Sequence, residues 1–292
     1  MFFQEAFEWK IAVYLFLAGT GAGAIISGAV SDIHKREENI SYIKAASLIG
    51  MPLVAFGTLF LLIDLGQGLW KPWLLIYLFA NPKSVITWGT IILTLFMICT
   101  TFYGAYNLGI IKFGGGKAIK VLSIGLGLAT AGYTAILIGV LRAVPFWHQS
   151  VLSILFLVSA LSTGISATLI VRELFFKDES HTEVYRITHF YSMIIEIFLL
   201  LSLVVVAFNG VPEMIFSIKT IVFGSLSFRF WVGVLLVGII IPLIFSGSEK
   251  LHLDGYRMII IESMVLIGGY NLRIIIVHAG AFTDKFANYI VG

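Results

Sequence analysis

Eight runs of roughly twenty apolar residues, spread from one end of the chain to the other, limit what this sequence can become more than any other feature. As a helix, a run of about 20 residues crosses the hydrocarbon core of a bilayer. A membrane β-barrel needs shorter segments of alternating polarity, and none is present. The runs fall at about 10–31, 43–64, 86–111, 119–141, 150–172, 187–209, 230–246 and 258–279. Of the 292 residues, 59% are hydrophobic and 12% charged, against roughly 25% charged in a soluble domain. The reading is an all-α integral membrane protein with eight transmembrane helices. The first run is glycine-rich and no convincing cleavage site ends it, so it is read as a retained helix, not a signal peptide.

Several chemistries are set aside early. The single cysteine, Cys99, lies within a span, which argues against an internal disulfide, a Cys-ligated iron–sulfur cluster and a C-x-x-C-H haem site. The formal charge of +3 comes without a basic run, so nucleic acid is not an expected partner. Connections after odd-numbered spans hold eleven Lys and Arg residues, and those on the other side hold seven. The positive-inside rule then puts both termini on the extracytoplasmic side of the cytoplasmic membrane. On that outer side, Gly66 to Ala80 is long and aromatic. Trp70, Trp73 and Tyr77, with Trp88 after them, suit a short segment lying in the interface. On the inner side Gly114-Gly115-Gly116 reads as a turn.

Gly19, Gly21 and Ala24 match a dinucleotide-binding spacing but lack the preceding strand and aqueous loop, so that reading is rejected. Gly19 with Gly23, and Ala24 with Gly28, are small residues one turn apart and mark a close helix contact. Span one aligned with span five at an offset of 140 gives a weak repeat. Leu15-Phe16-Leu17 meets Leu155-Phe156-Leu157, a run of small residues follows in both, and Trp9 and Trp147 precede them. The repeat implies two tandem four-helix bundles, residues 1–141 and 142–292, in the same orientation.

Ionisable groups inside a bilayer are expensive, so each is a candidate functional residue. Asp64 ends span two, Glu196 is central in span six, and Glu262 lies a turn into span eight. Arg273 is in the outer half of span eight, with His278 beyond it. His189 and Glu196, seven residues apart, share a helix face. Between Tyr133 and Gly164 one helix closes near Leu141, a connection carries Arg142, Pro145, Trp147 and His148, and the next helix starts at once. A tyrosine inside a greasy helix, with a cation, an indole and an imidazole at its mouth, is the chemistry of a slot for a lipid-soluble quinone. A b-type haem is not expected, because His189 and His278 lie at different depths, His148 and His278 at helix ends, and His34, His181 and His252 in inner connections.

These residues resemble the NrfD family, the membrane subunit type of polysulfide reductase and related molybdopterin enzyme complexes. The matching stretches are Trp9 to Ala24, Asp64-Leu-Gly, Asn81-Pro with Ser84 to Gly89, Tyr133 to Trp147 with Phe156 to Gly164, and Gly268 to Arg273 with Ala279-Gly280. They follow the family's order over nearly the whole chain. The resemblance implies an eight-helix, quinone-reactive subunit in two four-helix bundles, with no haem, iron–sulfur cluster or other redox metal of its own. It implies electron exchange with an external ferredoxin-like iron–sulfur subunit joined to a molybdopterin catalytic subunit, all on the outer face. Tyr133 matches the family tyrosine that hydrogen-bonds the quinone. Two positions depart from the pattern: Ala135 stands where a glycine is usual, and the polar residue that some relatives carry early in span one is unmatched, leaving Tyr14 nearest.

The expected function is therefore that of a membrane-anchoring quinol/quinone-reactive subunit of a respiratory oxidoreductase, using menaquinone or ubiquinone. Tyr133 with Tyr14 or His278 would hold the two quinone oxygens, and Arg142, His148 and Arg273 complete the quinone-binding candidates. Asp64, His189, Glu196 and Glu262 are the proton-transfer candidates. A secondary transporter and a passive anchor for an external enzyme are the alternatives.

Overall fold

The computed structural model describes residues 2–3, 9–64, 71–79, 81, 83–112, 116–176, 183–247 and 255–282. Among the sequence expectations, Gly66 to Trp70, Pro82, Gly114, Gly115, His181 and His252 lie outside the described residues. The protein is an all-α, multi-pass membrane protein, and eight helices among the described residues are long and apolar enough to cross a bilayer. These spans are α1 (Trp9–His34), α2 (Ile40–Asp64), α3 (Val85–Asn107), α4 (Gly116–Gly139), α5 (Ser150–Phe175), α6 (Glu183–Phe208), a seventh described below, and α9 (Tyr256–His278). Each sequence run lies within, or a few residues off, one of these helices.

Successive spans alternate direction, so the start of α1 and the end of α9 share one face. There β1 (Phe2–Phe3) pairs antiparallel with β2 (Ala281–Phe282), Phe2 opposite Phe282. We call this the terminal face. It also carries the end of α2, the interfacial 3-10 helix Pro72–Phe79, and the short helix Pro145–His148. In the helix Pro72–Phe79, Trp73, Ile76 and Tyr77 are exposed, as an interfacial segment requires.

Two helices form the centre. α1 packs against α2, α4, α5 and α9, and α5 packs against α1, α2, α4, α6 and α9. Glycine makes this possible: a Cβ on Gly23 would overlap the Ala160 carbonyl, and one on Gly164 would overlap the backbone of Gly23 and Ala24. With no hydrophobic drive between helices in lipid, close backbone approach and van der Waals contact supply the association. Thr20 Oγ1 donates to Thr163 Oγ1 across the same contact at 3.1 Å.

The seventh span is π-helical over Arg229–Ile240 and passes into α8 (Ile241–Gly247). A Cβ on Gly238 would meet the Gly268 backbone of α9 and the reverse, so two glycines let these helices touch. Between α6 and this span lies α7 (Pro212–Val222), an eleven-residue helix that the apolar runs did not announce. Its signals were polar: Pro212 and Glu213 open the first turn and Lys219 sits in the last.

Candidate functional site

Gly89 of α3 is where the site begins. A Cβ there would fall on the Tyr133 ring, so the missing side chain lets the tyrosine of α4 lie flat against α3. Tyr133 is 4% exposed, and beside it is a cavity of about 290 Å³. Leu137 continues the α4 wall, Leu141 extends it on the connection after α4, Leu93 and Met97 come from α3, and Leu61 and Leu62 from α2. Ile11 of α1 and Leu78 of the interfacial helix close two further sides. Polar atoms are few: the Tyr133 hydroxyl, the hydroxyls of Thr58, Thr90 and Thr94, and the Asp64 carboxylate at the terminal-face end. Each threonine hydroxyl is engaged by a backbone carbonyl one turn earlier in its own helix, Val54, Ile86 and Thr90 respectively. Tyr133 and Asp64 are the titratable side chains of the lining. Thr94, Leu95 and Ile98 are exposed on the flank of α3, so the opening faces the side of the molecule that meets lipid.

Tyr14 stands behind this wall. It is fully buried in α1, close enough to Tyr133 for their hydroxyls to interact electrostatically, and its hydroxyl has no hydrogen-bond partner among the described residues. An unpaired buried hydroxyl costs about 1–3 kcal/mol, and such groups call for an explanation.

The other quinone candidates lie elsewhere. Arg142 and His148 are exposed on the short connection after α4, with His148 Nδ1 held 3.3 Å from the Val144 carbonyl. Trp147, expected at the slot's mouth, points inward and donates from Nε1 to the Ile276 carbonyl of α9 at 2.8 Å. It pins the connection to α9 and is absent from the cavity lining. His278 lines a separate cavity, and Arg273 faces α5.

Arg273 opens a second polar assembly. Fully buried, it donates from Nη1 to Ser159 Oγ and to the Gly269 carbonyl (3.2 Å), and from Nη2 to the Phe156 carbonyl (3.3 Å). Its guanidinium lies 4.9 Å from the Phe156 ring centroid. The Ser159 hydroxyl also serves Glu196 of α6, which lies near both Arg273 and His189. A hydroxyl can accept from the guanidinium and donate to the carboxylate at once. His189 Nε2 is 3.2 Å from the hydroxyls of both Ser162 and Ser166, and its Nδ1 is 3.5 Å from Glu262 Oε2. That last approach is electrostatic and long for a hydrogen bond. Near Glu262, Tyr42 of α2 donates to Ser27 Oγ at 2.9 Å and stacks on Tyr185, ring centroids 3.7 Å apart. Polar groups therefore run from Arg273, in the terminal-face third of α9, to the Tyr42–Tyr185 stack at the opposite face.

Sequence reasoning named His189, Glu196, Glu262 and Arg273 but missed the groups that link them. Ser159, Ser162 and Ser166 recur at one helical face of α5, a polar stripe within an apolar run that was legible in principle. It also missed Asp32, a buried carboxylate at the opposite end of α1 held by Lys120 (2.8 Å) and Arg36. Among the described residues, no three His, Cys, Asp or Glu side chains converge as a metal-ligand group.

Comparison with known proteins decides the family. The family described as polysulphide reductase, NrfD, matches residues 1–284. The chain belongs to the NrfD family. Among its NrfD-type relatives, the C chain of polysulfide reductase from Wolinella succinogenes is 29% identical, the alignment covering 94% of this chain and 93% of that one. An NrfD homologue of Haemophilus influenzae is 25% identical over 94% of both chains. NrfD of Escherichia coli is 23% identical over 94% of this chain and 95% of its own. NrfD-type proteins are membrane subunits of oxidoreductase complexes of the polysulfide reductase type, and the family match over residues 1–284 takes in both the Tyr133 cavity and the Arg273 assembly.

Proposed function

We propose that this chain is the quinone-reactive membrane subunit of a respiratory oxidoreductase in the cytoplasmic membrane, with both termini on the extracytoplasmic side. The observation that carries the reading is the cavity against Tyr133. Its volume of about 290 Å³ is near the lower end of the roughly 300–1,000 Å³ of small-molecule sites, room for a ring system with its tail left outside. Its walls are apolar, its opening is on the lipid-facing flank, and a phenol and a carboxylate are its titratable groups. That donor set fits a quinone headgroup.

A quinol gives up two electrons and two protons when it is oxidised. Tyr133 donates a hydrogen bond to one ring oxygen and orients the ring in the slot. Asp64, at the terminal-face end, takes the two protons in turn and releases each to the aqueous side. Tyr14 supports Tyr133 from behind. The apolar walls keep water from competing for the Tyr133 hydroxyl, which strengthens each of these contacts. Electrons leave for an iron–sulfur subunit docked on the terminal face, itself joined to a molybdopterin catalytic subunit. The name of the Wolinella relative, one lettered component of a reductase, supports such an assembly.

Arg142, His148, Arg273 and His278 drop out of the quinone contacts in this reading because none lines the Tyr133 cavity. Arg273, Ser159, Glu196, His189 and Glu262 instead form a route that hands protons along α5 and α6, supported by the hydrogen bonds and short separations that connect them. The halves 1–141 and 142–292 are proposed as two four-helix bundles. Matching helices support this: α1 and α5 have 26 residues each, and α4 and α9 have 24 and 23.

Tyr133→Phe keeps the ring and removes the hydroxyl. Quinol turnover by the assembled complex is expected to fall at least about tenfold, with weakened binding of a quinone-analogue inhibitor, the loss of roughly one hydrogen bond in an apolar site. Unchanged turnover and inhibitor affinity would remove Tyr133 from the mechanism.

A further inference from the structure

The cavity that takes His278 is unrelated to the Tyr133 slot. It holds about 620 Å³ on the terminal face, between the start of α1, the end of α7, the seventh span and α9. Its walls divide by chemistry. Trp9, Tyr270 and Ile274 give an apolar side, while Arg229, His278 and the hydroxyl residues Thr220 and Ser225 give a polar one. Among the described residues that line it there is no carboxylate. Among the described residues Arg229 makes a 3.4 Å contact to the neutral Asn271 Oδ1, and His278 holds the Ile274 carbonyl through Nδ1 at 3.0 Å, leaving Nε2 as the ring atom available to a ligand.

Depth and surroundings identify the occupant. Arg229 opens the seventh span and His278 closes the eighth, so both lie at the rim of the apolar slab, where lipid headgroups sit. Phe223, Phe228 and Trp231 flank Arg229 and are 76%, 74% and 51% exposed, a ring of aromatics suited to the headgroup boundary. Further into the slab, Ile267 and Ile260 of α9 and Leu236 and Ile240 of the seventh span are exposed apolar side chains. These two elements pack together, and their seam leads away from the cavity in the direction acyl tails would take.

We propose that this cavity binds an anionic phospholipid, with its phosphate on Arg229 and the hydroxyl of Ser225, its glycerol against Trp9 and Tyr270, and its acyl tails along the seam. A planar guanidinium matches phosphate oxygens in geometry as well as charge. The site shares no lining residue with the Tyr133 cavity, so its fate is independent of the quinone binding proposed above.

The test uses the full-length protein in detergent, delipidated, with native mass spectrometry reading retained lipid. Phosphatidylglycerol, phosphatidylcholine and inorganic phosphate are offered separately. One tightly held phosphatidylglycerol is expected on the wild type, with phosphatidylcholine and free phosphate held much more weakly. Arg229→Gln should weaken phosphatidylglycerol roughly tenfold, the scale of a lost charge-assisted hydrogen bond, and Arg229→Lys should recover part of it. Lys83→Gln, a basic residue of the same face outside the cavity, should change nothing. The proposal is overturned if Arg229→Gln and Arg229→Lys both retain the lipid like wild type. Phosphatidylcholine retained equally well, or inorganic phosphate bound as tightly as the lipid, would overturn it too.

Discussion

Gly89 does for Tyr133 what no other residue type can, because the space a Cβ would need is occupied by the phenol ring. Gly89→Ala forces the ring into the cavity or pushes α3 from α4, an overpacking cost of about 1–3 kcal/mol. The expected outcome is a protein that still accumulates in the membrane but binds a quinone-analogue inhibitor at least about tenfold more weakly, read by inhibitor titration. Affinity equal to wild type would mean that the ring position is irrelevant to binding. Tyr133 was legible in the sequence because a phenol two turns inside an apolar helix is conspicuous. Its dependence on Gly89 was not, since 44 residues separate them and only packing brings them together. Arg142 and His148 follow Tyr133 closely in sequence, and packing sets them on the exposed connection, outside the lining of the cavity.

Elements were easier to read than their partners. Every span was visible because twenty apolar residues leave the backbone no alternative to a helix in lipid. The small-residue stripe of α1 announced a close contact, and α5 fills it at Ala160 and Gly164. α7 was hidden because eleven residues are too few to register as a span, and the π-helical turns of the seventh span were hidden because an unbroken apolar run reads alike for either kind of helix. The serines of α5 share one face in the sequence, but their partners Arg273, Glu196 and His189 reach them from other helices only through packing. The proton route through them makes a definite claim about α6. Glu196→Gln keeps the hydrogen bond from Ser159 but cannot carry a proton as a carboxylate does. Proton uptake by the complex in reconstituted vesicles is expected to slow severalfold while quinone-analogue binding stays unchanged. Uptake at the wild-type rate would count against the route.

At the scale of the whole molecule, a buried polar assembly on α5, α6 and α9 stands beside an apolar cavity enclosed by α1 to α4. The proposed division of labour puts redox lipid in the first half and proton movement in the second. Orientation decides whether Asp64 releases protons outside the cell. Cys99 is the one cysteine of the sequence, so Cys99→Ser gives a clean background for labelling. With Lys83→Cys on the terminal face and Glu38→Cys on the opposite one, a membrane-impermeant maleimide added to intact spheroplasts is expected to label the first and to reach the second only after lysis. The reverse pattern would invert the assignment. Most direct of all is photolabelling of the purified complex with an azidoquinone, followed by peptide mapping. The account expects adducts on the cavity walls of α3 and α4, around Met97 and Leu137, displaced by excess unlabelled quinone. Displaceable adducts concentrated instead around Arg229 and His278, with α3 and α4 unlabelled, would contradict it.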